Sequence, residues 1–210
     1  MKELSPIIII DYGMGNLGSL ANMLKKIRTP ARISSDIGDI ESAGNLILPG
    51  VGSFDHGMQK LRELNLIDIL NKKVIRDKTP ILGICLGMQL FTKTSEEGAQ
   101  QGLGWIDAKT VKFNADKDSS LKIPHMGWDT LDIKKSHFLV QDTDWNAMYY
   151  FVHSFHVVCN RSEDVLSTSH YGYDFVSSLA KDNVIGVQFH PEKSHKYGMK
   201  LLENFCNHKE

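Results

Sequence analysis

Over the first half of the chain, short runs of consecutive apolar residues alternate with stretches in which apolar positions recur every three or four residues. Residues 7–10 (IIII), 45–48 (NLIL) and 81–84 (ILGI) are runs of the first kind, each bounded by polar or turn-forming residues. Runs of this length suit strands buried on both faces of a parallel sheet. Residues 17–27 place apolar side chains at 17, 20, 24 and 27. Residues 54–75 do the same at Phe54, Met58, Leu61, Leu64, Ile67, Leu70 and Val74. Both spacings predict helices, the second interrupted near Asn65. Strand and helix in alternation predict an α/β fold with an open, mostly parallel sheet flanked by helices on both faces.

From Leu103 onward the texture changes to alternating or β-branched runs at 105–113, 148–152, 164–168, 175–179 and 184–188. These predict added, mostly antiparallel strands in the C-terminal half. Met199, Leu202 and Phe205 repeat at helical spacing, which predicts a closing helix over 196–207. The polar stretch 114–122, NADKDSSLK, reads as a mobile surface loop. With 210 residues and no repeat or low-complexity segment, 1–210 is expected to form one domain.

Charge narrows the function classes. The 24 basic and 25 acidic residues are interspersed, so no basic footprint points to nucleic acid or an anionic membrane. The apolar run in MKELSPIIII is too short for a secretory signal, and no later stretch reaches bilayer-spanning length. A cytoplasmic protein is the expectation. Cys85, Cys159 and Cys206 include no CxxC pair, which argues against a disulfide framework and a cysteine-rich zinc site; no metal and no cofactor are expected.

Candidate chemistry lies at Cys85. The segment 80–91, PILGICLGMQLF, ends an apolar strand at this residue, flanks it with Gly83 and Gly87, and then turns helical. Small neighbours permit the sharp strand-turn-helix bend that exposes a nucleophile. The helix N-terminus would favour thiolate, and the Leu86 N–H could help bind an oxyanion. A small buried hydrophobe is the competing reading of an isolated cysteine. A nucleophilic thiol needs an imidazole to move its proton, and the imidazole needs an orienting group. Val187-Gln-Phe-His-Pro-Glu supplies both: His190 follows an apolar strand, and Glu192 lies beyond a stiffening proline. His153 and His156 form no strong metal motif and read as structural or as lining a loop. The segment 48–54, LPGVGSF, ends a buried strand where glycines allow close backbone approach, though a plain turn fits the same letters.

Cys85 in GICLGMQ, with His190 and Glu192 in QFHPEKS, resembles the class I, or triad, glutamine amidotransferase family. The resemblance implies a cysteine-dependent glutaminase with an oxyanion strand at Gly50, Val51 and Gly52, assisted by Leu86. It further implies that Gln89 and Glu97 hold the head group of glutamine and that backbone near Ser154 and Phe155 holds its carboxylate. Asp11-Tyr-Gly-Met-Gly-Asn-Leu, Pro124-His-Met-Gly-Trp and Tyr150-Phe-Val-His-Ser look like the glutaminase subunits of imidazole glycerol phosphate synthases, over nearly the whole chain. Such subunits dock on a (β/α)8 barrel that receives the ammonia and serves histidine biosynthesis. Asn16, Met126, Trp128 and Lys193 would then lie at or near the docking face. Trp128 reads otherwise as a core tryptophan; its neighbours Gly127 and Asp129 favour a surface turn.

Asp129 stands where the histidine-pathway pattern usually has asparagine. The segments GSFDHGMQKL and HPEKSHKYGM look similar to a paralogous branch that supplies ammonia for amidated sugars of bacterial surface polysaccharide. A stand-alone cysteine hydrolase is a rival of another kind; it would need no PHMGW segment. A non-catalytic binding module and a metal site at Cys85 complete the alternatives.

Overall fold

The computed structural model of the chain describes residues 6–114 and 121–208. Its first half contains β1 (Ile7–Ile10), α1 (Leu17–Lys26), β2 (Ala31–Ser34), α2 (Ile37–Ser42), β3 (Asn45–Gly50), α3 (Phe54–Glu63), α4 (Leu66–Asn71), β4 (Ile81–Cys85), α5 (Leu86–Gln89) and β5 (Thr94–Ser95). β6 (Ala108–Lys112), β7 (His125–Asp129), β8 (Asp132–Ile133), β9 (Tyr149–His153), β10 (Phe155–Cys159), β11 (Val165–Tyr171), β12 (Tyr173–Lys181), β13 (Val184–Val187) and α6 (His195–Asn207) complete it.

The isoleucine run needs no polar position because alternate side chains of β1 enter different cores. Ile8 and Ile10 join the cluster with Leu46, Leu48, Phe54 and Leu86. Ile7 and Ile9 join the opposite cluster with Leu20, Leu24, Ile47, Leu82 and Leu202. Strand order in the main sheet is β2-β1-β3-β4-β13-β12-β10-β6-β5, with β11 attached at β12 and β8 in turn at β11. β2, β1, β3, β4 and β13 run parallel, which confirms the mostly parallel core. β12, β10 and β6 continue it antiparallel.

Several sequence expectations change on this frame. Val184–Val187 is parallel to β4 rather than an added antiparallel strand, because the chain returns to the centre of the sheet beside the strand that ends at Cys85. The pair β2 and α2 was not predicted: β2 is a half-exposed edge strand without an apolar run, and α2 is only six residues long. The break near Asn65 is real, with this residue in left-handed conformation (φ 55°) between α3 and α4. Trp128 lies in strand β7, paired with Tyr150 of β9, and not in a turn. Strand alternation there turns Met126 and Trp128 outward and His125 inward. Most of the loop expected at 114–122 falls outside the described residues. Among the described residues no helix is long and apolar enough to cross a membrane.

Candidate active site

Parallel pairing of β3 with β4 sets Gly50 opposite Cys85, and pairing of β13 with β4 sets Val187 opposite Ile84. Three chain segments distant in sequence therefore end at one rim of the sheet. Cys85 takes φ 53°, a conformation unusual for a residue with a side chain, at the bend from β4 into α5. The bend packs so closely on its neighbours that only glycine fits at two positions beside it. A Cβ on Gly87 would lie 1.8 Å from the Leu48 carbonyl oxygen, and one on Gly50 would lie 2.5 Å from the Tyr12 hydroxyl. The helix after Cys85 spans only Leu86–Gln89, a single turn, so the macrodipole expected there is small and what remains is a set of local N–H groups.

His190 and Glu192 meet as the motif predicts. His190 Nδ1 donates to Glu192 Oε1 at 2.8 Å, with both side chains buried. The His190 backbone is held as well. Its N–H donates to the Tyr150 carbonyl at 2.9 Å, and its own carbonyl accepts from the Ser194 hydroxyl at 2.6 Å. Ser194 Oγ in turn accepts from the Tyr150 N–H at 3.0 Å. His190 Nε2 lies beside the Cys85 sulfur, although no hydrogen bond of normal geometry joins them. Burial disfavours the charged imidazole, but the sulfur of Cys85 and the carboxylate of Glu192 outweigh it and raise its pKa to about 10. The imidazole is thus set to hold a proton.

Cys85 is 7% exposed and receives a hydrogen bond from Gln188 Nε2 at 3.6 Å. Gln188 was not anticipated. Its signal in the sequence is a polar amide interrupting the run Val184 to Phe189, where it is fully buried. Tyr12 was also missed. It is fully buried with an unpartnered hydroxyl, and its pKa is raised by burial and by the neighbouring Cys85.

The other predicted residues take up varied positions. Gln89 is buried, and its Nε2 donates to the Phe155 carbonyl at 3.0 Å and to Gln188 Oε1 at 3.1 Å. Glu97 accepts from the Phe54 N–H at 2.8 Å, capping α3 where Ser53 makes no side-chain cap; burial raises its pKa despite this bond. The Ser154 carbonyl accepts from Phe113 N–H, and that of Phe155 from Gln89 and from His153 Nδ1. Val51 is exposed, and Gly52 takes φ 132° beside Met14.

Met126 and Trp128 are 62% and 43% exposed. Trp128 stacks on His195 (5.3 Å between centroids, 7° between planes), and Lys193 Nζ lies 5.4 Å from the Tyr150 ring centre. Asn16 is exposed and caps α1 by accepting from the Ser19 N–H. Inward from this surface, His125 and His153 join an aromatic cluster around Phe113 and Phe175. Burial lowers their pKa values to about 4 and about 3. Since His153 Nδ1 donates to the Phe155 carbonyl, its Nε2 accepts from His125 Nδ1 at 3.3 Å. His156 is buried beside Phe113 and Tyr173. Among the described residues no group of three or more histidine, cysteine or acidic side chains is arranged to hold a metal.

The family model described as Glutamine amidotransferase class-I matches residues 8–209. Imidazole glycerol phosphate synthase subunit HisH 2 of Methanococcus maripaludis is 56% identical over 199 residues, covering 95% of this chain and 98% of the relative. The protein of the same name from Pseudomonas aeruginosa is 47% identical with the same coverage. Among solved structures, PurLQS from Thermotoga maritima aligns over 97% of this chain and 98% of its own with a TM-score of 0.71 at 16% identity. A glutamine amidotransferase from Thermotoga maritima aligns over 98% and 100% with a TM-score of 0.68 at 14% identity. These two likenesses concern the fold.

Proposed function

The chain belongs to the class I glutamine amidotransferase family, and on that premise we propose that it is the glutaminase subunit of an imidazole glycerol phosphate synthase. It hydrolyses glutamine to glutamate and ammonia and passes the ammonia to a separate (β/α)8 barrel subunit in histidine biosynthesis. The whole chain acts as one cytoplasmic glutaminase domain. The observation that carries the reading is the meeting of Cys85, His190 and Glu192 at one rim of the sheet, with Glu192 bonded to the imidazole.

In this reading the Cys85 thiolate attacks the side-chain amide carbon of glutamine. The developing oxyanion is met by N–H groups of Leu86 and of the Gly50, Val51 and Gly52 segment, whose first residue lies opposite the nucleophile. Protonated His190 delivers its proton to the departing ammonia, and the same imidazole then draws a proton from the water that cleaves the thioester. Glu192 keeps the imidazole oriented throughout. Gln89, Glu97 and the N–H groups near Ser154 and Phe155 bind the amino-acid end of the substrate. Asn16, Met126, Trp128 and Lys193 form the docking face for the barrel.

A second acceptor, an amidated surface sugar, is favoured by Asp129, which stands where the histidine-pathway pattern usually has asparagine. Glutamine hydrolysis by the wild type and by Cys85→Ser, each alone and mixed with candidate barrels, tests both. Stimulation by the histidine-pathway barrel is expected, with no turnover by Cys85→Ser. Full activity of that variant would remove Cys85 from the mechanism, and stimulation only by a surface-sugar barrel would reassign the acceptor.

A further inference from the structure

We propose that Gln188 is a hydrogen-bond donor to the nucleophile, which fixes the position of Cys85 Sγ and favours negative charge on it. The inference rests on Cys85 being the nucleophile of the glutaminase reading. It assigns a function to a residue outside the cysteine, histidine and glutamate set.

The two ends of a glutamine amide differ in which can donate, so their orientation is fixed by their partners. The Phe155 backbone carbonyl can only accept, so the end of Gln89 that lies 3.0 Å from it is Nε2. That same nitrogen lies 3.1 Å from the Gln188 amide, whose nearer end must be the acceptor Oε1. The remaining end of Gln188 is therefore Nε2, 3.6 Å from the sulfur. A main-chain carbonyl of β10 thus dictates, through two buried amides, that a donor rather than an acceptor faces the nucleophile.

Burial makes the relay stiff. Gln188 is fully buried and Gln89 is 5% exposed, so neither amide can turn to water without breaking the chain. The Gln188 backbone is anchored too, its N–H donating to the Ser177 carbonyl at 2.9 Å. The neighbouring His190 imidazolium supplies positive charge, and Gln188 supplies the directed hydrogen bond that the other neighbours lack. The helix behind Cys85 is one turn long, and His190 Nε2 makes no hydrogen bond of normal geometry with it. A hydrogen bond to a charged acceptor is stronger than one to a neutral acceptor, so the donor favours the charged form.

The test reads the sulfur and not glutamine turnover. The rate of Cys85 alkylation by iodoacetamide is followed from about pH 5 to about pH 10 by mass spectrometry of the Cys85 peptide, which separates it from Cys159 and Cys206. Gln188→Met, of similar size but with no donor, is expected to move the midpoint of the profile upward by about one pH unit. Gln188→Glu should move it further, because a carboxylate then faces the sulfur. A wild-type profile in either folded variant overturns the assignment. Should neither variant fold, the native protein decides. The Gln188 side-chain amide signal in a glutamine-labelled NMR spectrum is expected to titrate with the thiol and to lose that step in Cys85→Ala. An amide signal blind to the thiol overturns the proposal. A protein without glutaminase activity whose Cys85 profile still depends on Gln188 would sink the activity and keep the donor.

Discussion

Two residues apart in sequence, His190 and Glu192 form a buried pair whose geometry is set by the chain between them. Pro191 limits the turn, and Ser194 ties it back to His190 and Tyr150. A carboxylate in this position selects the tautomer with the proton on Nδ1 and leaves Nε2 for the sulfur. Glu192→Gln keeps the shape but can present an N–H where an acceptor is required. Its kcat for glutamine hydrolysis is expected to fall by roughly ten-thousandfold with little change in KM, by analogy with loss of the orienting carboxylate in other triads. Steady-state kinetics decide the matter, and a loss below about fivefold would mean that the imidazole is oriented without the carboxylate.

Elements meet at the elbow with almost no free space, and the turn depends on that contact. The short helix α5 lies directly on β3, and Gly87 is where they touch. Gly87→Ala drives a methyl group into the Leu48 carbonyl, and neither backbone segment can retreat without disturbing the Gly50 to Cys85 pairing. Overpacking of a rigid interior typically costs about 1–3 kcal/mol, and backbone contact places this change at the upper end. Urea denaturation should show the loss of stability, accompanied by a collapse of glutaminase activity larger than the fraction unfolded explains. The strand pair β7 and β9 follows a different rule. One face of β7 joins the aromatic cluster, while the other leaves Met126 and Trp128 uncovered. Trp128→Ala is expected to leave glutamine hydrolysis by the free subunit little changed and to weaken barrel binding by about 2 kcal/mol or more, measurable by calorimetric titration. Unchanged affinity would move the docking face elsewhere.

Across the whole molecule, buried histidines of opposite kinds set how stability depends on pH. His125 and His153 stay neutral in the fold, with pKa values near 4 and near 3 because burial disfavours their charge. The unfolded chain takes up these protons below its ordinary value of about 6.5, so stability falls progressively as pH drops from there toward the folded-state values. The slope is up to roughly 1.4 kcal/mol per pH unit for each histidine. His190 behaves in the reverse sense. Its folded pKa of about 10 gives a contribution fully present below about 6.5 and lost as pH rises through about 10. Chemical denaturation across pH should therefore show weakening on both the acid and the alkaline side. Replacement of His125 by Phe, which keeps the ring stacked between Phe151 and Tyr171, should flatten the acid limb. An acid limb unchanged by that substitution would assign the loss to other groups.

Much of this was written in the order of residues. The isoleucine run, the glycines around Cys85 and the QFHPE segment each state a local requirement: burial on two faces, a bend without clashes, a base with its orienter next to it. Such requirements act over a few residues and so can be read directly from the chain. The contacts that depend on distant segments could not. Gln188 becomes a donor to Cys85 only when β13 lies parallel to β4, and its orientation is chosen by a carbonyl of β10. Glu97 caps a helix that begins 43 residues before it, a partnership with no local pattern. Strand β2 and helix α2 left no clear trace because an exposed edge needs no continuous apolar run. Local sterics and hydrophobic spacing are encoded residue by residue, whereas hydrogen-bond direction inside a buried site exists only after the sheet has brought its strands together.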